Sequence, residues 1–407
     1  MMFAGLSLDQ APPFEAPIKF FLLAPIFAII AGLVVLFRDF TLSSHDNSTI
    51  AILHLLSIGF IIMVMFGALQ QMLPVIAGAV IPKAKLVANI TFGLLIVGIV
   101  SFVLGFILYH KILLLSAASF LLLGLLFFSS IAFFSLLKIK NKTPIVWAII
   151  LSIMFFFITF LLGVHLIISH VSSNFTNSHY EFVNLHLGFA FFGWIFMLIS
   201  GITFQVVPMF WVSDPFTKKV QISLILGIIL ALITLVLRYE LLFQSIISLV
   251  MLVYSFTTLQ KLNNRKRKLK DQSVIYWKLA IYFLVLTILY WGAQYFLTIP
   301  NEILAVLAGG FILSLINGML YKIIPFLVWF HLSAKGIFNI PTMKEMIKDK
   351  NIEIQKYFHI AFFIMITLSL FFQSNMMIKL SAFLFILSNI YLLYNFMSCV
   401  KIYMKNI

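Results

Sequence analysis

The sequence predicts an all-α integral membrane protein, with twelve transmembrane helices set out as three pseudo-repeated four-helix units. Three observations predict this. The 407 residues are 63% hydrophobic and only 10% charged, with 46 Phe, a composition well outside the soluble range. A bilayer core of about 30 Å needs about 20 apolar helical residues, and twelve stretches supply them. Finally, one mark recurs: a glycine, three residues, a long polar side chain, two residues and a proline. It reads Gly67-Ala-Leu-Gln70-Gln71-Met-Leu-Pro74, then Gly201-Ile-Thr-Phe-Gln205-Val-Val-Pro208, then Gly318-Met-Leu-Tyr-Lys322-Ile-Ile-Pro325, the copies 134 and 117 residues apart. Chance places about half of one Gly–Pro pairing of this spacing in such a chain. A further match, Gly5 to Pro12, lies in the N-terminal tail and is set aside.

The first unit, residues 1–142, holds spans at 17–37, 49–80, 86–108 and 112–137. The second, 143–272, holds 144–169, 180–212, 220–238 and 241–260, and the third, 273–407, holds 274–297, 302–332, 354–372 and 376–400. The marked span is second in each unit, and these three are the longest stretches, long enough to tilt or to run past the bilayer. All belong to a single membrane domain. Met1 to Ala16 is acidic and proline-bearing and does not read as a cleaved signal.

Charge sets the orientation. With the N-terminus inside, inner segments hold 22 of the 27 Lys and Arg; outer segments hold Arg38, Lys111, Arg238 and Lys379, and Lys322 stands within a span. That bias places both termini in the cytoplasm, and the short loops fit a bacterial inner membrane. The net charge of +15 therefore belongs to inner loops facing lipid headgroups and cytosol, and nucleic acid is not an expected partner. Cys399 is the single cysteine, so no internal disulfide forms and no Cys-x-x-Cys-His attaches a c-type haem.

Seven of the nine histidines fall at or near the outer face. His54 lies about one turn inside span two, with Gly59 and Gly67 following on the same helix. A neutral imidazole there suits haem iron, copper or zinc, and the glycines suit either a porphyrin face or close helix packing. An interhelical hydrogen bond is the competing use of the histidine. His186, at the start of span six, and His165, at the end of span five, complete an outer candidate metal set with His54. His45, His110 and His179 read as solvated loop residues. Near the inner interface, Gln71, Gln205 and Lys322 form a polar ring at one depth if the repeat is threefold, with Lys322 free to snorkel to the cytoplasm. No nucleotide loop, nucleophile–base pair or His-Glu-x-x-His is present.

His54-x4-Gly59-x7-Gly67-Ala-Leu-x4-Pro74, in a chain of three four-helix arcs, resembles the ligand-bearing helices of haem-copper oxidase subunit I, especially the cbb-type oxidases and NO reductases. It is also similar to the NnrS-type membrane proteins, whose Phe-Arg-Pro-Phe-Phe-Leu opening looks like Ala16-Pro-Ile-Lys-Phe-Phe-Leu-Leu-Ala24 here. The resemblance implies a b-type haem or copper, with His54 at the low-spin haem position, and respiratory-complex subunits as partners. The departures are specific. Span ten has no histidine, with Ala305 twenty before Pro325; His186 is offset by two from the expected copper position at Gly188; span seven lacks a His pair; and the Trp-His-x-His-Glu cluster of NnrS is replaced by Ala51-Ile-Leu-His54-Leu. Oxygen or NO turnover is therefore not expected. The expectation is a haem- or copper-binding relative used in redox, sensing or cofactor handling. A cofactor-free oxidase-like subunit or assembly partner, or a small-solute transporter, stands as the alternative, although transporters favour twofold inverted repeats.

Overall fold

The computed structural model describes residues 12–38, 46–173, 178–266, 268–337 and 339–407. No strand occurs among the described residues, and twelve helices are long and apolar enough to cross a membrane. They are α1 (Glu15–Phe37), α2 (Asn47–Val75), α3 (Ala84–Ile107), α4 (Lys111–Leu137), α5 (Pro144–Ser172), α6 (His179–Trp211), α7 (Lys218–Val236), α8 (Glu240–Asn263), α9 (Gln272–Ala293), α10 (Asn301–Ala334), α11 (Asp349–Phe372) and α12 (Asn375–Lys405). The chain is a multi-pass helical membrane protein.

Helix ends follow hydrogen bonding rather than hydropathy. Thr143, Thr217 and Ser374 accept backbone N–H bonds at the starts of α5, α7 and α12, and Asp46 and Asp271 do so for α2 and α9. Helix α11 begins at Asp349, earlier than hydropathy predicts, because its polar first turn extends the helix beyond the apolar part. Helix α9 stops at Ala293 instead of 297. The turn that follows is held by Gln294 Nε2 donating to Asn301 Oδ1 at 2.7 Å and Tyr290 Oη donating to the Pro300 carbonyl at 2.9 Å.

α6 and α10 are the two longest helices, at 33 and 34 residues, and α2, followed through its last turn to Ala77, equals α12 at 31. Pro74 leads α2 into a short π-helical turn, Leu73–Ala77, which Gly78 ends in the left-handed conformation at φ 66°. Burial, not length, sets the marked helices apart. In α2, α6 and α10, 72% of the most apolar window is buried, against 33–50% in the other nine.

Two of these helices also share a local distortion. Leu55–Ile62 in α2 and Phe189–Phe196 in α6 are π-helical, eight residues each. The N–H of Met63 reaches the Ile58 carbonyl and that of Met197 the Phe192 carbonyl, each five residues back. The two segments are 134 residues apart, the same interval as the glycine–proline marks.

By contacts the chain divides into two compact units. One comprises Pro12–Gln71, Phe106–Leu108 and Lys270–Ile407; the other, among described residues, Met72–Gly105 and Tyr109–Leu269. Within the first unit α1 packs on α2 and α12, α9 on α10, and α11 on α12. Within the second, α4 packs on α5, α5 on α6, and α7 on α8.

Three helix pairs use one contact pattern. A methyl group added at Gly59 would lie 2.8 Å from Phe27 Cβ, at Gly193 2.7 Å from Phe155 Cβ, and at Gly310 2.6 Å from Phe283 Cδ1. Eight residues further on, Gly67 meets Phe20 and Phe21, Gly201 meets Ala148, and Gly318 meets Tyr276 and Trp277. Phe27, Phe155 and Phe283 are each 128 residues apart, as are Phe20, Ala148 and Tyr276. α1 thus seats on α2, α5 on α6 and α9 on α10 through equivalent positions. Glycine is favoured at these sites because the facing side chains, several of them by their Cβ atoms, lie too close for an added methyl group.

Candidate functional site

His54 is the last residue of α2 before its π-helical segment, and it is half-buried. Its Nδ1 lies 2.8 Å from the Ile50 carbonyl. A carbonyl only accepts, so Nδ1 carries the proton and Nε2 the lone pair. His186, three residues before the π-helical segment of α6, is held in the same way. Its Nδ1 donates to the Thr159 carbonyl on α5 at 2.9 Å. The ring fits because Gly163 faces it; a methyl group there would sit 3.1 Å from His186 Cε1. His165 is exposed and tilts onto the Phe182 ring at 4.5 Å. Among the described residues no three or more His, Cys, Asp or Glu side chains gather as a metal site.

Gly59 and Gly67, expected either to admit a porphyrin or to pack helices, pack helices: Phe27 fills the first position and Phe20 and Phe21 the second. Loop histidine His110, expected to be simply solvated, is exposed but also caps α4, its Nδ1 accepting from Leu113 N–H. His45 lies outside the described residues.

Of the inner polar ring, Gln71 is fully buried, and neither its amide nor that of neighbouring Gln70 has a hydrogen-bond partner among the described residues. Gln205 and Lys322 are half-buried. Lys322 does not simply snorkel. Its Nζ pairs with Asp271 Oδ2 at 2.5 Å, and Asp271 also accepts from Ser273 N–H and Oγ at 3.0 and 2.6 Å. Burial by itself would raise the Asp271 carboxyl, but the Lys322 ammonium and Ser273 outweigh it and hold it below its ordinary value.

Sequence reading did not single out the polar interior of α9–α12. His359 is 1% exposed. Its Nε2 is 2.8 Å from Ser314 Oγ and its Nδ1 3.4 Å from Asn317 Nδ2, both on α10. The signal was present in two places. Ser314, Asn317 and Tyr321 share one face of an otherwise apolar helix, and Gln355 and His359 stand one turn apart on α11. No protein-family model matches the chain, and no curated protein matches it either.

Proposed function

We propose that this protein is a divergent relative of haem-copper oxidase subunit I and the NnrS-type proteins, built of three four-helix units in a bacterial inner membrane. In this reading both termini are cytoplasmic, and His54 binds a b-type haem or copper near the outer face for redox, sensing or cofactor handling. The observation that carries the reading is the Nδ1–H bond from His54 to the Ile50 carbonyl. It fixes the tautomer whose Nε2 ligates metal, the way metal-bound histidines are commonly held. The 128-residue recurrence of the residues seated on the paired glycines, and the matching π-helical segments of α2 and α6, support the repeated scaffold. π-Helical turns within α-helices are frequent at functional sites.

The residues fit such a group in part. The donor atom suits iron or copper, whereas Phe27, Phe20 and Phe21 fill the glycine faces that would have made a flat cradle. No porphyrin step is derived from those glycines. The filled faces favour a second reading, a cofactor-free oxidase-like subunit that works beside respiratory partners. One experiment separates the two. The protein is purified in mild detergent, its oxidised and dithionite-reduced spectra are recorded, and its metal content is measured beside His54→Ala. A b-type reduced α band, or bound copper, that disappears in the variant supports ligation by His54. Wild-type protein without haem or metal overturns the cofactor reading and leaves the scaffold, for which co-purifying subunits are the readout.

A further inference from the structure

We infer that His359 is a proton-binding site built into the α9–α12 bundle, beside a polar cluster toward the end where α9 and α11 begin. The inference stands on its own residues and is independent of the role of His54.

The chemistry of its partners carries the argument. His54 and His186 each give Nδ1–H to a backbone carbonyl, which locks one neutral tautomer. His359 is held differently: Asn317 Nδ2 can only donate, so Nδ1 accepts and Nε2 carries the proton, and this arrangement is released only when the Asn317 amide turns over. Ser314 Oγ, 2.8 Å from Nε2, can give or take a proton. Asn317 presents Nδ2 to Nδ1 at 3.4 Å, while its Oδ1 is buried with no hydrogen-bond partner among the described residues. Turning that amide over offers Oδ1 to an Nδ1–H. The neutral ring accepts from Nδ2; the protonated ring donates to Oδ1 and to Ser314. Both charge states are then fully hydrogen-bonded, which a purely structural histidine does not require. The ring of Tyr276 at 5.6 Å and that of Phe363 at 5.0 Å give the cation aromatic neighbours.

A hydrogen-bonded polar cluster lies between it and the end where α9 and α11 begin, with the Tyr276 ring 5.6 Å from the imidazole. One turn toward the start of α11, the Tyr276 and Tyr321 hydroxyls both donate to Gln355 Oε1, and Gln355 Nε2 donates to Ser388 Oγ at 2.9 Å. Asn395 Nδ2 bonds Tyr321 Oη at 3.0 Å and the Asn351 carbonyl, in the first turn of α11, at 3.4 Å. Asn395 Oδ1 is a second buried acceptor without a partner among the described residues. His359 lies about 12 Å along α11 from Asn351. The ionisable groups around this cluster are Tyr276 from α9, Tyr321 from α10, Lys356 one turn back on α11, whose Nζ bonds Gln272 Oε1 at 3.0 Å, and Glu353, which accepts from Gln272 Nε2 at 2.8 Å and from Lys270 Nζ at 2.9 Å. α12 contributes Ser388, Asn389 and Asn395, none of them ionisable. A proton arriving from water at this end forms one N–H bond on Nδ1, and no other bond changes.

The test is nitrogen-15 NMR of histidine-labelled full-length protein in lipid nanodiscs, with His359 assigned by loss of its signals in His359→Gln. Lowering the pH from about 8 to about 3 should begin to convert its two ring nitrogens reversibly from the neutral to the doubly protonated pattern. In Asn317→Leu, which retains helicity by circular dichroism, the conversion should move by about one pH unit or more toward acid. A ring that stays in one neutral tautomer throughout, or an Asn317→Leu titration superimposable on wild type, overturns the inference.

Discussion

The pairing of Lys322 with Asp271 shows how one side chain changes meaning when its neighbour is known. Asp271 caps α9 and neutralises the cation that α10 carries at its repeat position. Its carboxyl is held below the ordinary carboxylate range, so the folded state binds a proton less readily than the unfolded one. The resulting stabilisation is complete above the unfolded pKa of about 3.9 and is lost as pH falls through the folded value. Asp271→Asn should cost about 1–3 kcal/mol at neutral pH and abolish that acid-dependent component. Thermal unfolding in detergent across a pH series, wild type beside variant, reads both effects. The depth of Lys322 was legible in the sequence, but its partner, 51 residues earlier, was not. His54 was more legible because its hydrogen bond lies within its own helix, four residues back. The partners of His359 stand 42 and 45 residues away, and hydropathy treats them as ordinary polar interruptions of a span.

Paired helices seat through glycine, and the consequences of filling those glycines differ with what stands opposite. At Gly193 and Gly201 the opposing atoms are Cβ atoms of Phe155 and Ala148, fixed to the α5 backbone. Alanine at either position must therefore push α5 and α6 apart and should destabilise by about 1–3 kcal/mol. Gly93 faces open space, and Gly93→Ala should be neutral or slightly stabilising. Unfolding temperatures of the three variants check this; equal behaviour of all three would remove the packing role. The proline-linked glycines were visible as a repeat because their spacing to proline is constant. Gly59, Gly193 and Gly310 and their partners were not, because the first helices of the pairs recur at 128 residues and the second at 134 and then 117. No single period contains both. The π-helical turns have no compositional signature and appear only in the backbone hydrogen bonds.

For the molecule as a whole, span number and helix class followed from length and apolarity alone, since the bilayer sets both. The grouping into two units did not follow, because most helices are apolar on every face and sequence offers no stripe to choose a neighbour. Orientation rests on the Lys and Arg bias and is open to a direct check. Lys111→Cys in intact cells should react with a membrane-impermeant thiol reagent, and Lys140→Cys only after permeabilisation. Cys399 is buried and should contribute little background. The reverse labelling pattern would invert the topology. The paired helices have one more consequence. Phe27 and Gly59, Phe155 and Gly193, and Phe283 and Gly310 meet in the same way although 32, 38 and 27 residues separate them along the chain. The connecting chain is thus a tether of adjustable length, and lengthening such a tether adds only slowly to its closure entropy.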